Sequence, residues 1–290
     1  MKDKKLFNPE NFFSQRKLKM WQSCQREYFL HYYAAYGEYD AAVSDEDDFH
    51  IHLLKSIKTE DEFISAIVVE SLKELFEAHV NIENLPKLLL NNFNKDCNNM
   101  LLGEFEFDHK CPLLFDFYYG GNGTIEELFS KIRERLIKFG TNLADNEFFR
   151  KLFYRDKLNF YPIEDEAPSI SIGNLVVYAD LLALIKDGKN FYFLSFKRDD
   201  LDFIRFFHLY YGVHKLHLQA DWIKTLVLDI HSGEISELAD KQTPISEVIA
   251  YISNSYSEIP KLDCTADFRA FPKVDDEKQC LNCRFKELCC

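Results

Sequence analysis

The sequence predicts an α+β protein with an α/β core built on a small mixed sheet, and three observations carry that expectation. Apolar residues repeat at helical spacing through most of the first 150 or so positions. From about 160 to 240 the texture changes to short apolar runs separated by turn residues. Phe (27) and Tyr (15) far outnumber Gly (10) and Pro (8), a balance that favours long helices over a turn-rich sandwich. At 290 residues and 47% hydrophobic content, the chain can fill one large domain or two modest ones with a sizeable core.

The elements follow in order. In "SQRKLKMWQSCQREYFLHYYAAY", Leu18, Trp21, Cys24, Tyr28, Phe29 and Tyr32 recur at three- and four-residue steps, predicting one amphipathic helix capped by Ser14. "GEYDAAVSDEDD" reads as a loop. "TEDEFISAIVVESLKELFEAHV" is a second helix with Thr59 as cap and acids in its first turn. "NLPKLLLNNFNKDCNNMLLGEF" is helical after Pro86, and "YYGGNG" is a break. "TIEELFSKIRERLIKFGTNL" opens on a Thr124–Glu127 capping box. "SISIGNLVVYADLLALIKDGKNFYFLSFK" then predicts a β-meander with turns at Gly173-Asn174 and Asp187 to Asn190. A helix over "DFIRFFHLYYGVHKLHL" and a strand pair in "IKTLVLDIHSGEISEL" complete the pattern. The expected organisation is a mainly helical region 1–160, a sheet-bearing core 161–260 and a cysteine-bearing segment 261–290.

Composition excludes some functions. The formal net charge of −13 argues against a general, charge-driven attraction to nucleic acid, so any contact with DNA has to come from a local basic patch. "FKRDDLDFIRFFHLYYGVHKLH" holds Lys197, Arg198, Arg205 and Lys215 with three histidines, and on charge alone it reads as a solvated helix face. No run of eighteen apolar residues is present, and "MKDKKLFNPENFFSQRKLK" has no apolar signal region. The expectation is a cytoplasmic protein without a membrane partner.

Two groups of residues point to chemistry. "CLNCRFKELC", residues 280–289, spaces Cys280, Cys283 and Cys289 as C-x2-C-x5-C, with Cys290 beside them. In a reducing compartment clustered thiols hold a metal or an iron–sulfur centre more often than a disulfide. Ligand softness leaves a four-thiolate Zn2+ and a cluster both open. Cys97, Cys111 and Cys264 are scattered and assigned to packing. The second group is Asp180 and Lys197, expected on neighbouring strands, where they would hold a divalent metal and orient a water on a phosphodiester. The same spacing fits a surface ion pair.

The motifs resemble a known family. "YAD…FLSFK" looks like the core of the PD-(D/E)xK nucleases, and "KMWQSCQREYFLHYY" resembles the opening helix of their RecB-like branch. "CLNCRFKELC" resembles the cysteine triplet of that branch's iron–sulfur members, among them the AddB-type and CRISPR-associated iron–sulfur exonucleases. The resemblance spans roughly residues 14 to 289 and implies a restriction-endonuclease-like sheet closed by a C-terminal cysteine clasp. In it Cys24, Cys280, Cys283 and Cys289 would hold a [4Fe–4S] cluster, with Cys290 a neighbour. Asp180 would be the first metal-binding acid, Lys197 the family lysine, and Arg198, Arg205 and Tyr210 would contact DNA.

The acid before the lysine, however, is replaced by Ser195, the family's helix histidine by Val69 beside Glu70, and its glutamine by Phe206. A hydroxyl supplies no charge to a magnesium ion. These departures imply a degenerate nuclease that binds DNA or serves as a subunit beside a helicase or in a repair or defence complex. The alternatives are an active Mg2+- or Mn2+-dependent exonuclease or endonuclease, with Glu70, Asp199 or Asp200 as a relocated acid, and a zinc-stapled interaction protein with no nucleic-acid role.

Overall fold

The computed structural model describes residues 11–34, 45–77, 81–108, 111–121, 123–155, 160–162, 168–239, 244–259 and 268–289. The helices of the first half are α1 (Gln15–Ser23), α2 (Gln25–Tyr32), α3 (Asp45–Ser56), α4 (Glu60–Glu77), α5 (Leu85–Leu101), α6 (Phe115–Tyr119) and α7 (Ile125–Asp145). They are followed by α8 (Glu147–Arg155), α9 (Leu201–Tyr210), α10 (Ile245–Ser257), α11 (Glu277–Leu281) and α12 (Lys286–Cys289). The strands are β1 (Phe12–Phe13), β2 (Ile57–Lys58), β3 (Leu113–Leu114), β4 (Phe160–Pro162), β5 (Ser169–Ile172), β6 (Leu175–Tyr178), β7 (Ala183–Asp187), β8 (Asn190–Phe196), β9 (Ile223–Leu228) and β10 (Ile235–Glu237). Helices dominate and the sheets are small and mixed, so the chain is α+β. Among the described residues no helix is long and apolar enough to cross a membrane.

Contacts group the chain into two units, each assembled from separate stretches. The first comprises Met1–Lys55, Ser169–Ala179 and Ser246–Cys290; the second comprises Ser56–Pro168 and Asp180–Ile245.

In the first unit, β5 and β6 form an antiparallel hairpin over Gly173, whose φ of 59° suits glycine. β1 joins β6 in parallel, pairing Phe12 with Val176 and Phe13 with Val177. The expected single N-terminal helix is two. Ser14 Oγ accepts from Lys17 N (3.2 Å) and starts α1, but at Cys24 the backbone turns extended (φ −153°, ψ 110°) before α2 begins. The apolar period runs on across the break because Met20, Tyr28, Phe29 and Tyr32 are buried on both sides of it. Lys17 is also buried, with Nζ donating to Phe12 O (3.0 Å) and lying 4.2 Å from the Phe12 ring centre, so its charge is met by a carbonyl and a π face. The loop expected over "GEYDAAVSDEDD" lies outside the described residues up to 44, and Asp45 to Asp48 already belong to α3.

In the second unit, α4 and α7 start at reciprocal caps. Thr59 exchanges bonds with Glu62 (3.0 and 3.3 Å), and Thr124 does so with Glu127 (2.9 and 3.2 Å), as expected for Thr-x-x-Glu. α4, α5 and α7 pack through Phe63, Leu72, Leu89, Phe93, Leu136 and Phe139, all buried. Gly140 permits the approach of α7 to α5, since a Cβ there would stand 2.7 Å from Leu89 Cδ1. The main sheet runs β10-β9-β8-β7-β4, antiparallel throughout except for the parallel β8–β9 pair, which α9 connects. The predicted continuous meander is therefore corrected. It is two hairpins in different sheets, divided by an irregular stretch at 179–182. The long-range partner of β6 is β1, which no local pattern reveals.

Candidate metal centre

Cys24, Cys280, Cys283 and Cys289 line one recess of the first unit, together with Glu27, Lys273, Val274, Gln279 and Lys286. The recess encloses about 320 Å³ of empty space, part of it open to solvent. Local sequence places each thiol. Cys24 sits at the helix break, where its Sγ takes the N-cap role and accepts from Glu27 N (3.5 Å). Asp276 caps α11 by accepting from Lys278 N (2.9 Å), which sets Cys280 on that short helix. Cys283 follows in the next turn, its N–H donating to Cys280 O (3.1 Å) and its Sγ accepting from Phe285 N (3.4 Å). Cys289 ends α12.

The tail is tied to α1 and α2 by contacts other than the thiols. Arg26 donates to Phe271 O (3.0 Å) and Arg269 O (3.2 Å), and the Phe29 and Phe271 rings stack at 4.4 Å. Gln279 donates to Ser23 Oγ, and Phe285 is fully buried. None of the described cysteines is in a disulfide. Burial, then the Glu27 charge and the neighbouring Cys289 and Cys24, outweigh the Phe285 N–H and push the Cys283 thiol up to about 12. Among the described residues no three His, Cys, Asp or Glu side chains are set to grip a single ion. The donor chemistry suits a thiolate-held group: four cysteines line one space, and backbone N–H groups point at the sulfurs of Cys24 and Cys283, as second-layer donors do at metal sites, while the Cys280 thiol donates to Val274 O (3.7 Å).

The second candidate site lies at the end of β8, in the second unit. Asp180 is not on a strand, which corrects the expectation. It is exposed in the irregular stretch before β7, and its Oδ2 accepts from Arg198 Nη2 (2.7 Å) and Nε (3.2 Å). Lys197, just past β8, is exposed and lies 3.5 Å from Asp229 Oδ2. Asp180 and Lys197 thus pair with other residues rather than with each other. Burial raises the Asp229 carboxyl, but N–H groups of His231 and Ser232, with Lys197, outweigh it and hold it below the usual range.

Ser195 is sealed in the core, with Oγ 2.8 Å from His208 Nε2. The other ring nitrogen, Nδ1, lies 3.2 Å from Thr225 Oγ1. His208 is fully buried and burial lowers its pKa to about 3, so a neutral imidazole bridges two hydroxyls.

No protein-family model matches the chain, and no curated protein matches it in sequence. The remaining predicted residues are dispersed in role. Tyr210 is 8% exposed and stacks on His214 at 4.2 Å, and Arg205 Nη1 donates to Asp202 (2.6 Å). Val69 and Glu70 are exposed on α4, Phe206 is half-buried, and Asp200 caps α9 through Phe203 N (3.0 Å). Cys97 is buried, with burial pushing its thiol up to about 12, whereas Cys111 is half-buried. Cys264 and Cys290 lie outside the described residues.

Sequence reasoning missed Asp229, His208, Thr225 and Glu27. His208 had a signal: it shares an apolar helix face with Ile204 and Phe207, which suits a core histidine better than a basic patch.

Proposed function

We propose that the chain is a RecB-like member of the PD-(D/E)xK nuclease superfamily whose cysteines hold a [4Fe–4S] cluster and whose nuclease centre is silent. It acts by contacting DNA or as a subunit of a DNA repair or defence complex. The observation that carries this reading is the convergence of Cys24 with Cys280, Cys283 and Cys289, more than 250 positions away, on one recess. A cluster bound there would supply bonds from α2 to the tail, to which Arg26 and Phe29 already add contacts. Thiolate ligation of this kind suits a reducing, cytoplasmic setting.

Silence is supported by the second unit. The acid slot holds a hydroxyl committed to His208, and the Asp180 carboxylate carries an arginine where a cation would bind. With a net charge of −13, DNA would be held by a few phosphate contacts near Arg198, so binding should weaken with salt along a shallow slope.

A second reading, an active Mg2+- or Mn2+-dependent nuclease, rests on Asp229, whose ionised carboxylate stands beside Lys197. Labelled single- and double-stranded DNA, incubated with Mn2+ and the anaerobically purified full chain, decides between them. The silent reading expects no cleavage by the parent and salt-sensitive binding. Cleavage that disappears in both Asp180→Ala and Asp229→Ala would establish the active reading, whereas neither cleavage nor binding would leave only the subunit role.

A further inference from the structure

In the second unit, α5 ends in a turn that holds apolar side chains out in water. Gly103, at φ 72°, closes the helix and donates to Met100 O (3.1 Å), and a 3-10 turn over Glu104–Glu106 follows. Phe107 and Asp108 both donate back to Glu104 O (3.1 and 2.9 Å), so the turn is fixed by its own backbone. Phe105 is half-buried and meets the rings of Phe117 and Tyr118 edge-on, each at 6.4 Å. Phe107 does the opposite. It is 82% exposed and Leu102 73%, the two highest values among the large apolar residues described, with Leu101 at 58%.

Single exposed apolar residues are ordinary, but three within seven positions at one fixed turn form a patch that folding leaves uncovered. The polar residues among them are acidic. Glu104, Glu106 and Asp108 are all exposed, and no Lys or Arg occurs from 96 to 109.

We propose that the turn at 101–108 is a docking surface for a partner protein that offers an apolar pocket rimmed by Lys and Arg. Phe107 and Leu102 fill the pocket, and the three carboxylates steer the approach and meet the rim. Charge selects the occupant. Nucleic acid and an anionic membrane surface are repelled by the carboxylates. A second copy of this chain brings a net charge of −13 and is a poor counterpart. A basic protein surface suits the turn, and a subunit that handles DNA carries one. The inference does not depend on what the cysteines hold.

The test uses a fluorescein-labelled helical peptide of Leu and Lys, read by anisotropy against the full chain. Matched peptides replace Lys by Glu, or Leu by Ser. The expected result is salt-sensitive binding of the Leu/Lys peptide alone. Leu102→Ser/Phe107→Ser should weaken it about tenfold or more, because two apolar side chains are no longer buried. Glu104→Gln/Glu106→Gln/Asp108→Asn should weaken it and flatten its salt dependence. Both variants should keep the parent's melting temperature, since every altered side chain is exposed. No binding to the parent overturns the proposal. Equal binding of the Ser-containing peptide, or binding unmoved in Leu102→Ser/Phe107→Ser, overturns it too, because the acidic body as a whole would then be the attractant. A lowered melting temperature in Phe107→Ser alone would assign that residue to folding and overturn it. So would a parent dimer in sedimentation velocity that Phe107→Ser dissolves, since the occupant would then be a second copy.

Discussion

The cysteine recess and the end of β8 respond in opposite ways to the same kind of sequence pattern. At the recess, four residues from distant ends of the chain line one space. At β8, three residues within 18 positions of one another go separate ways: Asp180 to Arg198, Lys197 to Asp229, and Ser195 inward to His208. The difference lies in what each side chain can do. A half-buried thiol has few strong partners other than a metal, so a spaced set of them points to one purpose. Aspartate, lysine and serine find partners anywhere on a surface or in a core, so their spacing constrains little.

The contrast is broken or sharpened by substitution, beginning with the largest effect. Cys283→Ala should abolish metal retention, lowering affinity by more than the roughly 100-fold typical of second-layer changes, while Cys97→Ala leaves metal content unchanged. Metal analysis of the purified chains checks this. Equal metal in both would end the contrast.

Ser195→Glu should not build a nuclease. The new carboxylate would be buried against His208, and we expect a loss of about 3–5 kcal/mol in urea unfolding, with no cleavage gained. Ser195→Ala, which strands the imidazole nitrogen, should cost about 1–3 kcal/mol. Full stability together with Mn2+-dependent cleavage in Ser195→Glu would mean that the slot remains a metal site.

His208 gives the β8 region a pH signature. Its folded pKa is near 3, below the unfolded value of about 6.5, so the unfolded chain takes up a proton that the folded chain refuses. The stabilisation is complete above about pH 6.5 and is lost as pH falls toward 3, at up to about 1.4 kcal/mol per unit. Buried His31, whose pKa is also lowered, adds a loss of the same sign. Stability of His208→Gln between pH 7 and 4.5 should therefore fall less steeply than that of the parent, and parallel curves would contradict the neutral bridge.

The smallest effect is expected at Asp180 and Arg198. Both are well exposed, so Arg198→Ala should change stability by less than about 1 kcal/mol, and less still in high salt.

Much of the fold was legible because its signals are local. The two Thr-x-x-Glu boxes, the Pro86 helix start and the Gly173 turn each depend on residues within a few positions. Three features were not legible. Cys24 breaks a helix without breaking its apolar period, so periodicity runs through it. The hairpin β5–β6 takes β1 as its partner across more than 150 residues, and nothing in "LVVYAD" says where one sheet ends. At the β8 site, Ser195 was legible as a missing acid but not as half of a buried bridge, because His208 is 13 positions further on and reads as part of a basic run.

The iron–sulfur cluster proposed for Cys24, Cys280, Cys283 and Cys289 is best probed by iron and acid-labile sulfide analysis of the anaerobically purified full chain. Cys24→Ala and Cys97→Ala are carried alongside. Equal iron and sulfide are expected in the parent and in Cys97→Ala, with loss of both in Cys24→Ala. Zinc in place of iron, or iron that survives Cys24→Ala, would contradict it.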